Sequence, residues 1–313
     1  MARMRDAVGR ALVELGDADP DVVVLTADVA RSTRTQWFAE RHPSRFINVG
    51  ISEQDLVDVA AGLALAGKRP YAAAFAMFMM RAWEQIRNTI DRMNLDVKLV
   101  ATHSGFSDHG DGASHQSLED IALMRVLHNM VVVVPADGPQ AYNAVLAVHE
   151  RVRGPAYIRV GRDYSPVVTD PEAGFRLGRL EVLRDGSDGF IVSAGPLVAH
   201  SIEAAERLER ERGLSLGVAN LHTVKPLDAE GLERLARRTG LLFVVEEHFP
   251  RGGLFGAVAE ALAERYPARV LPVAPWGYGH SARSVMDLYR MYCLDPGCLA
   301  ERLYRLYTRA ASG

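Results

Sequence analysis

FINVGISEQDLVD, the stretch Phe46–Asp58, predicts a strand, a tight turn and a helix. The apolar run ends at Gly50 and a helix begins after Ser52, with Asp55 placed to complete a capping box. Glu53 then lies at the first helical position, beside the positive end of the helix dipole. A carboxylate there has an ordinary structural explanation, so the local pattern leaves open whether Glu53 is functional.

Strands and amphipathic helices alternate on both sides of this unit. Short β-rich runs separated by helices predict an α/β fold with a mostly parallel sheet that is covered by helices on both faces. A helix over Arg81–Met93 is predicted from apolar residues at helical spacing. The predicted strands are Val22–Thr26, Phe46–Val49, Tyr71–Phe75, Val97–Ala101, Val131–Val134, Ala156–Val160, Phe190–Ala194, Ser215–Asn220 and Leu241–Val245.

The region 166–187 differs from the sequence on either side of it. It contains prolines, glycines and scattered charges without a long apolar stripe, which predicts a linker. The chain has 313 residues, enough for two domains with separate cores. We therefore predict a first domain over residues 1–165 and a second, smaller α/β domain over residues 188–313.

Composition excludes several classes of protein. A formal net charge of -3 gives no electrostatic reason to expect nucleic acid or an anionic membrane as a partner. No apolar run approaches the roughly 18 residues of a membrane span, and Met1–Gly16 has the pattern of a charged amphipathic helix. Cys293 and Cys298 lack a metal-ligand set, so we expect reduced thiols in a cytoplasmic protein.

Two further loops follow predicted strands and carry unusual side chains. Phe75 and Phe78 stand three apart after one strand, a pattern that core packing also explains. Thr102–Gln116, THSGFSDHGDGASHQ, places three histidines, two aspartates and three glycines in fifteen residues. This density of titratable groups between a strand and a helix indicates a functional site. The even spacing of the histidines matches no compact ligand motif, so no protein-bound metal is predicted.

Four segments together carry a family resemblance: residues 49–88 around SEQ, GDGASHQSLEDIALMR at 110–125, HTVKPLD at 222–228 and EEH at 246–248. In order and spacing they resemble transketolase, and more narrowly the C-terminal subunit of a split, two-chain transketolase. Such a subunit has a pyrimidine-binding domain followed by a transketolase C-terminal domain. The resemblance implies a thiamine-diphosphate-dependent transfer of a two-carbon ketol unit from a ketose, or ketose phosphate, to an aldose. It also implies a separate N-terminal subunit that holds the diphosphate and Mg²⁺, in an α2β2 assembly.

The resemblance gives the cofactor-binding residues their roles. Glu53 corresponds to the glutamate that hydrogen-bonds N1′ of the aminopyrimidine, and is therefore both catalytic and cofactor-binding. Phe75 and Phe78 correspond to aromatic residues that stack on the pyrimidine and exclude water. Arg81 stands where many transketolases have a third aromatic residue, so this part of the cofactor pocket departs from the family pattern.

The substrate-binding residues are also implied by the resemblance. His103, Asp111 and His115 fall on the substrate loop, where both histidines would help to move protons. Asp108 and His109 replace small or apolar residues there, which indicates either an altered acceptor or a loss of catalysis. The residues implied to bind the acceptor phosphate are Arg5 and Ser32, with Arg159 or Arg162 as the third partner.

Several alternatives remain at this point. The same two domains occur in the β subunit of 2-oxoacid dehydrogenases and in deoxyxylulose-phosphate synthase, and a non-catalytic regulatory or scaffolding homologue would keep the fold. His103 and the DGASHQ sequence favour sugar chemistry, and the retention of Glu53, Phe75 and Phe78 argues against a scaffold. The segment Glu246–His248 with Gly252–Gly253 is either an anion-binding turn or, as we expect, a structural one.

Overall fold

The computed structural model describes residues 2–311, and its first sheet has seven strands. Six of them come from the first half of the chain and run parallel to their neighbours, whereas the edge strand from the second half is antiparallel. In spatial order the strands are β12 (Thr223–Lys225), β6 (Val131–Val133), β7 (Ala156–Arg159), β5 (Lys98–Thr102), β4 (Arg69–Phe75), β2 (Val22–Thr26) and β3 (Phe46–Asn48). The α/β class and the mostly parallel first sheet are confirmed.

The second sheet has five strands, of which one is antiparallel. A separate two-stranded pair joins the start of the chain to the end of the first half. The five strands in spatial order are β14 (Arg269–Val273), β13 (Leu241–Val245), β10 (Gly189–Ser193), β11 (Leu216–Asn220) and β9 (Glu181–Arg184), and the pair is β1 (Ala2–Arg3) with β8 (Tyr164–Ser165).

Helices cover both faces of the first sheet. Because successive side chains of a strand point to opposite faces, Val24 packs with helices α1 (Met4–Ala18) and α8 (Gly138–Arg151), while Val23 and Leu25 pack with α4 (Glu53–Leu65) on the other side. The helices of the first half are α1 (Met4–Ala18), α2 (Ala30–Thr33), α3 (Gln36–Arg41), α4 (Glu53–Leu65), α5 (Ala76–Met79), α6 (Trp83–Gln85), α7 (Asp120–Arg125) and α8 (Gly138–Arg151). Those of the second half are α9 (Leu197–Arg212), α10 (Ala229–Thr239), α11 (Leu254–Arg265), α12 (Val285–Met291) and α13 (Pro296–Ala311).

The two halves are joined by an apolar core as well as by β12. One buried cluster contains Val132 and Val134 of the first sheet region together with Val192 and Leu221 of the second. Apolar surface of both halves is therefore removed from water in one continuous layer, which stabilises their packing against each other.

Two local predictions about helices differ from the structure. Helix α4 begins at Glu53 as expected, but the side chain of Ser52 makes no capping hydrogen bond, so the capping box with Asp55 is absent. The predicted helix Arg81–Met93 is divided into short pieces that end in a π-helix over Ile86–Asp91. Thr89 donates its hydroxyl to the carbonyl of Gln85, a type of side-chain bond that competes with regular helix geometry.

The predicted linker 166–187 contains structure. Strand β9 lies inside it and pairs antiparallel with β11 at the edge of the second sheet, where the backbone groups of β9 find hydrogen-bond partners. A 3₁₀ turn at Pro171–Ala173 precedes it. The division of the chain at 165 and 188 itself stays a prediction.

The expectation of reduced thiols is also wrong. Cys293 and Cys298 form a disulfide with a Cα–Cα distance of 4.8 Å, which the turn between α12 and α13 makes possible. This removes the observation from which a cytoplasmic location was predicted. Among residues 2–311, no helix is long and apolar enough to cross a membrane.

Candidate functional site

Three loops with the predicted site residues leave the same edge of the first sheet. Because β3, β4 and β5 belong to one parallel set, their carboxyl ends lie on one side of the sheet. Phe75 at the end of β4 is paired in register with Thr102 at the end of β5, and Glu53 follows β3. Ligands of open parallel sheets bind at this edge, so the topology brings these residues to a candidate site.

Glu53 is a buried carboxylate without a protein partner. Its residue is 7% exposed, at the first position of α4, and its side chain makes no hydrogen bond within residues 2–311. The helix dipole favours its negative charge. Since no donor of the described chain is bonded to it, the carboxylate of Glu53 is available to a group that is supplied from outside the chain.

Aromatic rings connect the end of β4 to the substrate loop. The rings of Phe75 and His103 stack with centroids 3.7 Å apart, and Phe75 stacks on Phe78 at 4.8 Å. His115 contacts the edge of Phe78 at 5.3 Å, and its Nδ1 lies 3.0 Å from the hydroxyl of Ser114. Both phenylalanines are only half-buried, so their rings keep area for a further planar group.

His103 is held in one orientation by its neighbours. Its Nδ1 lies 2.8 Å from Oγ1 of Thr102, and its Nε2 lies 3.5 Å from Nη1 of Arg5. Because arginine can only donate, Nε2 accepts and the ring hydrogen is on Nδ1. The same Nη1 donates to the backbone carbonyl of Ser32 at 2.9 Å, so the structure joins Arg5, Ser32 and His103 in one cluster.

Burial and nearby positive charge together lower the pKa of His103 to about 3. Desolvation contributes most, and the charges of Arg5 and Arg162 act in the same direction. The imidazole is therefore neutral at physiological pH. A proton or a hydroxyl hydrogen can replace the long 3.5 Å contact of Nε2 with Arg5, without the ring first losing a proton of its own.

We expect this neutral state to be visible as a pH effect. The unfolded chain binds a proton at His103 below about pH 6.5, whereas the folded chain does not until about pH 3. Since the unfolded state binds more protons in this window, this residue makes the free energy of unfolding fall as the pH is lowered from 6.5 towards 3. NMR spectra of the imidazole should show no titration between pH 5 and pH 8. A midpoint near 6.5 would contradict the assignment, and His103→Asn identifies the resonance by its loss.

Asp111 and Arg81, the other predicted site residues in these loops, are exposed. Arg81 lies in the 3₁₀ turn Met80–Ala82 after α5, and within residues 2–311 it stacks on neither phenylalanine. The departure from a third aromatic residue therefore leaves this side of the pocket without a ring. The cofactor-binding role of Arg81 stays a prediction.

Arg159 and Arg162 differ in their surroundings. Arg159 is 2% exposed, and its guanidinium donates to Asp120 at 2.7 Å and to the carbonyls of Ser117 and Glu247 at 3.1 Å. Its Nε and Nη2 are engaged inside the protein, so Arg159 is less available to a substrate than Arg162, and its substrate role stays a prediction. Arg162, whose side chain is 36% exposed, is the more accessible candidate, although Asp108 pairs with it at 2.7 Å.

The support that the second half gives to the substrate loop was missed by sequence reasoning. Glu247 accepts hydrogen bonds from the backbone of Phe106 at 2.8 Å and from the hydroxyl of Tyr289 at 2.9 Å. Gly105 has a φ of +59°, and a Cβ there would lie 2.2 Å from the Glu247 carboxyl carbon. The sequence signal for this contact was Gly105, a glycine in a loop rich in titratable residues. Glu247, which packs against it, lies 142 residues away in the sequence, so the contact could not be predicted.

Glu246 does not form a free anion-binding turn. Its carboxylate accepts hydrogen bonds from the backbone of Leu254 at 2.7 Å and of Phe255 at 2.9 Å, at the start of α11. Burial raises the pKa of Glu246 to about 8. A protein carboxylate thus occupies the helix N-terminus, which agrees with the structural explanation expected for this segment.

Two family models match the chain. The pyrimidine binding domain of transketolase covers residues 1–166, and the transketolase C-terminal domain covers residues 178–297. Within residues 2–311, no group of three His, Cys, Asp or Glu side chains is placed to hold a metal ion.

Individual relatives and solved structures extend over most of the chain. A putative transketolase C-terminal section from Methanocaldococcus jannaschii is 39% identical over 96% of this chain and 95% of that protein. A split-gene transketolase chain, solved as an inactive β4 tetramer, is 44% identical with a TM-score of 0.88 and covers 98% of both chains. The 1-deoxy-D-xylulose-5-phosphate synthase 2 of Geobacter sulfurreducens is 37% identical over 96% of this chain but only 48% of that protein.

Proposed function

Because the chain belongs to the transketolase family, we propose that it is the pyrimidine-binding subunit of a split, thiamine-diphosphate-dependent transketolase. In this proposal a separate subunit holds the diphosphate and Mg²⁺, and the two chains assemble as α2β2. The reaction transfers a two-carbon ketol unit from a ketose or ketose phosphate to an aldose. The inactive β4 tetramer of the similar split-gene chain supports the requirement for a second subunit.

The observation that carries the proposal is the unpartnered carboxylate of Glu53 beside a half-buried aromatic surface. An aminopyrimidine ring offers a nitrogen for a carboxyl group and two flat faces for aromatic side chains. The residues present therefore fit the cofactor. When bound, thiamine diphosphate supplies the nucleophilic carbon and the electron sink for breaking and forming the carbon–carbon bond.

Each residue of this chain has a defined task in the proposal. Glu53 shares a proton with N1′ of the pyrimidine, which its position at the start of α4 allows without a competing protein donor. Phe75 and Phe78 stack on the ring and keep water from it. His103, neutral and with Nε2 as acceptor, accepts a proton from a sugar hydroxyl. His115, which lies beside Phe78, is placed for a second proton transfer.

Arg5 orients the sugar end of the site. Its Nη1 is shared between Ser32 and His103, and its Nε is buried without a hydrogen-bond partner in the described residues. Nη2 of Arg5 makes no hydrogen bond within residues 2–311, so it is the donor that a substrate oxygen can meet. Asp111, exposed at the loop tip, is placed to accept from a sugar hydroxyl.

A second candidate function is the synthesis of a 1-deoxy sugar phosphate. It is supported by the 37% identity to 1-deoxy-D-xylulose-5-phosphate synthase 2, although the chain spans about half of that protein. A 1-deoxy product requires a methyl group in the two-carbon unit, hence pyruvate as donor, whereas ketol transfer requires a hydroxylated donor. Product analysis with pyruvate and with hydroxypyruvate separates the two candidates.

We expect ketol transfer only when this chain is combined with its diphosphate-binding partner. The assay contains thiamine diphosphate and Mg²⁺, xylulose 5-phosphate or hydroxypyruvate as donor, and ribose 5-phosphate or ribose as acceptor. This chain alone and the partner alone are the controls. A correctly assembled pair that transfers nothing from either donor contradicts the proposal and favours a scaffolding role, and turnover by this chain alone contradicts the split assignment.

A further inference from the structure

Asp108 neutralises one of the two guanidinium groups near His103. It is 1% exposed, and its Oδ1 accepts a hydrogen bond from Nη1 of Arg162 at 2.7 Å. The other carboxylate oxygen, Oδ2, is buried and makes no hydrogen bond within residues 2–311. The pair therefore removes the free positive charge of Arg162, and the side chain of Asp111 lies close enough to raise the pKa of Asp108.

Both signs of charge are present around this end of the site. Arg5 and Arg162 both act on the pKa of His103, so both guanidinium groups lie near that ring. Opposite them are the carboxylates of Asp108 and Asp111, whose mutual repulsion adds to burial in raising the pKa of Asp108. Arg34, the next cation, is paired with Asp6 at 2.7 Å. Asp108 and Asp111 thus bring negative charge to the end of the site where Arg5 and Arg162 lie.

We propose that Asp108 determines specificity by directing the site to sugars whose far end is a hydroxyl group and not a phosphate. The proposal rests on the function proposed above, since it concerns the sugar that reaches His103. A terminal hydroxyl carries no charge, so it is not repelled by the carboxylates of Asp108 and Asp111.

A phosphate group would meet the opposite situation. It carries about −1.5 to −2 charges at pH 7, and when it is fully ionised its oxygens can accept hydrogen bonds but not donate them. At Arg162 the phosphate would lie next to the carboxylate of Asp108, which already accepts the hydrogen bond from Nη1 of Arg162. Juxtaposed like charges are strongly unfavourable and serve to reject the wrong ligand.

The test compares two acceptors in the reconstituted pair, with hydroxypyruvate as donor so that no donor phosphate is present. The ratio of kcat/KM for D-ribose 5-phosphate to that for D-ribose is measured for the natural chain and for Asp108→Asn. The change in this ratio between variants cancels the different aldehyde content of the two sugars. We expect Asp108→Asn to shift it towards the phosphate by at least about tenfold.

Asp163→Asn is the matched control. Asp163 is adjacent to Arg162 in the sequence, but its Oδ2 lies 3.6 Å from Nε2 of His109 and is not paired with Arg162. The variant therefore removes the same charge without freeing Arg162. We expect its acceptor ratio to stay within about twofold of the natural chain. An unchanged ratio in Asp108→Asn, or an equal shift in both variants, would overturn the proposal.

A binding measurement keeps the test independent of turnover. Inorganic phosphate is titrated into this chain alone by calorimetry, for the natural chain, Asp108→Asn, Asp108→Ser and Asp163→Asn. We expect phosphate to bind at least about tenfold more tightly to whichever Asp108 variants fold, and with unchanged affinity to Asp163→Asn. Equal phosphate affinity in all folded variants overturns the role of Asp108. If the pair transfers ketol units to neither sugar, the proposed function fails while this measurement still decides the role of Asp108.

Discussion

Replacing Glu53 by glutamine is expected to lower kcat of the reconstituted pair by about 10²–10⁴-fold, the range for loss of a positioned acid–base group. Glutamine has nearly the shape of glutamate but cannot share a proton with a ring nitrogen in the same way. Because the carboxylate of Glu53 has no partner within residues 2–311, the change breaks no hydrogen bond of the folded chain. The thermal midpoint of the variant should therefore stay close to that of the natural chain, since only the interaction with the helix dipole is lost.

Asp55→Asn is the control for this prediction. Asp55 lies in the first turn of the same helix, so its replacement weakens the same favourable interaction with the helix dipole, but its side chain is exposed. We expect it to keep most of the activity. If Glu53→Gln and Asp55→Asn have the same small effect on kcat, Glu53 only stabilises the helix and the proposed mechanism is wrong.

Replacing Arg159 by leucine is expected to lower the free energy of unfolding by about 3–5 kcal/mol, the usual result of removing one partner of a buried ion pair. The carboxylate of Asp120 is fully buried and accepts from Arg159 at 2.7 Å and from the hydroxyl of Tyr157 at 2.8 Å. Burial, the largest single influence, would raise the pKa of Asp120, but the charges of Arg159 and His248 and the hydrogen bonds from Arg159 and Tyr157 together outweigh it, and the pKa is lowered. Without Arg159 this carboxylate must remain buried without its counter-ion or take up a proton.

The measurement is the midpoint and slope of urea unfolding, with Arg237→Leu as the control. Arg237 is 57% exposed and pairs with Glu233 one helical turn away at 2.8 Å, a surface pair worth about 0.3–0.5 kcal/mol. A similar shift in midpoint for both variants would show that Arg159 contributes no more than a surface arginine, and would favour a substrate role for it.

The fold and much of the candidate site were predictable because both depend on short patterns. Alternating strands and helices fix the α/β class, and the bounds of β2 and β13 agree with those predicted. Parallel strands have their carboxyl ends on one edge, so the sequence positions of Glu53, Phe75 and His103 already implied that they meet. The failures lie where one segment pairs with a distant one, as β9 does with β11.

The sequence by itself determined the fold class, the family and the loops that carry chemistry, since these follow from local periodicity and from motifs that can be read along the chain. Only the tertiary structure showed how two neighbouring arginines differ in burial and in their partners. Arg159 and Arg162 are three residues apart and chemically identical, yet the first is buried against Asp120 and the second reaches Asp108 at the edge of the site. The physical reason is that a side chain's charge state and free hydrogen bonds depend on groups brought near it by folding, and in this chain those groups come from distant segments.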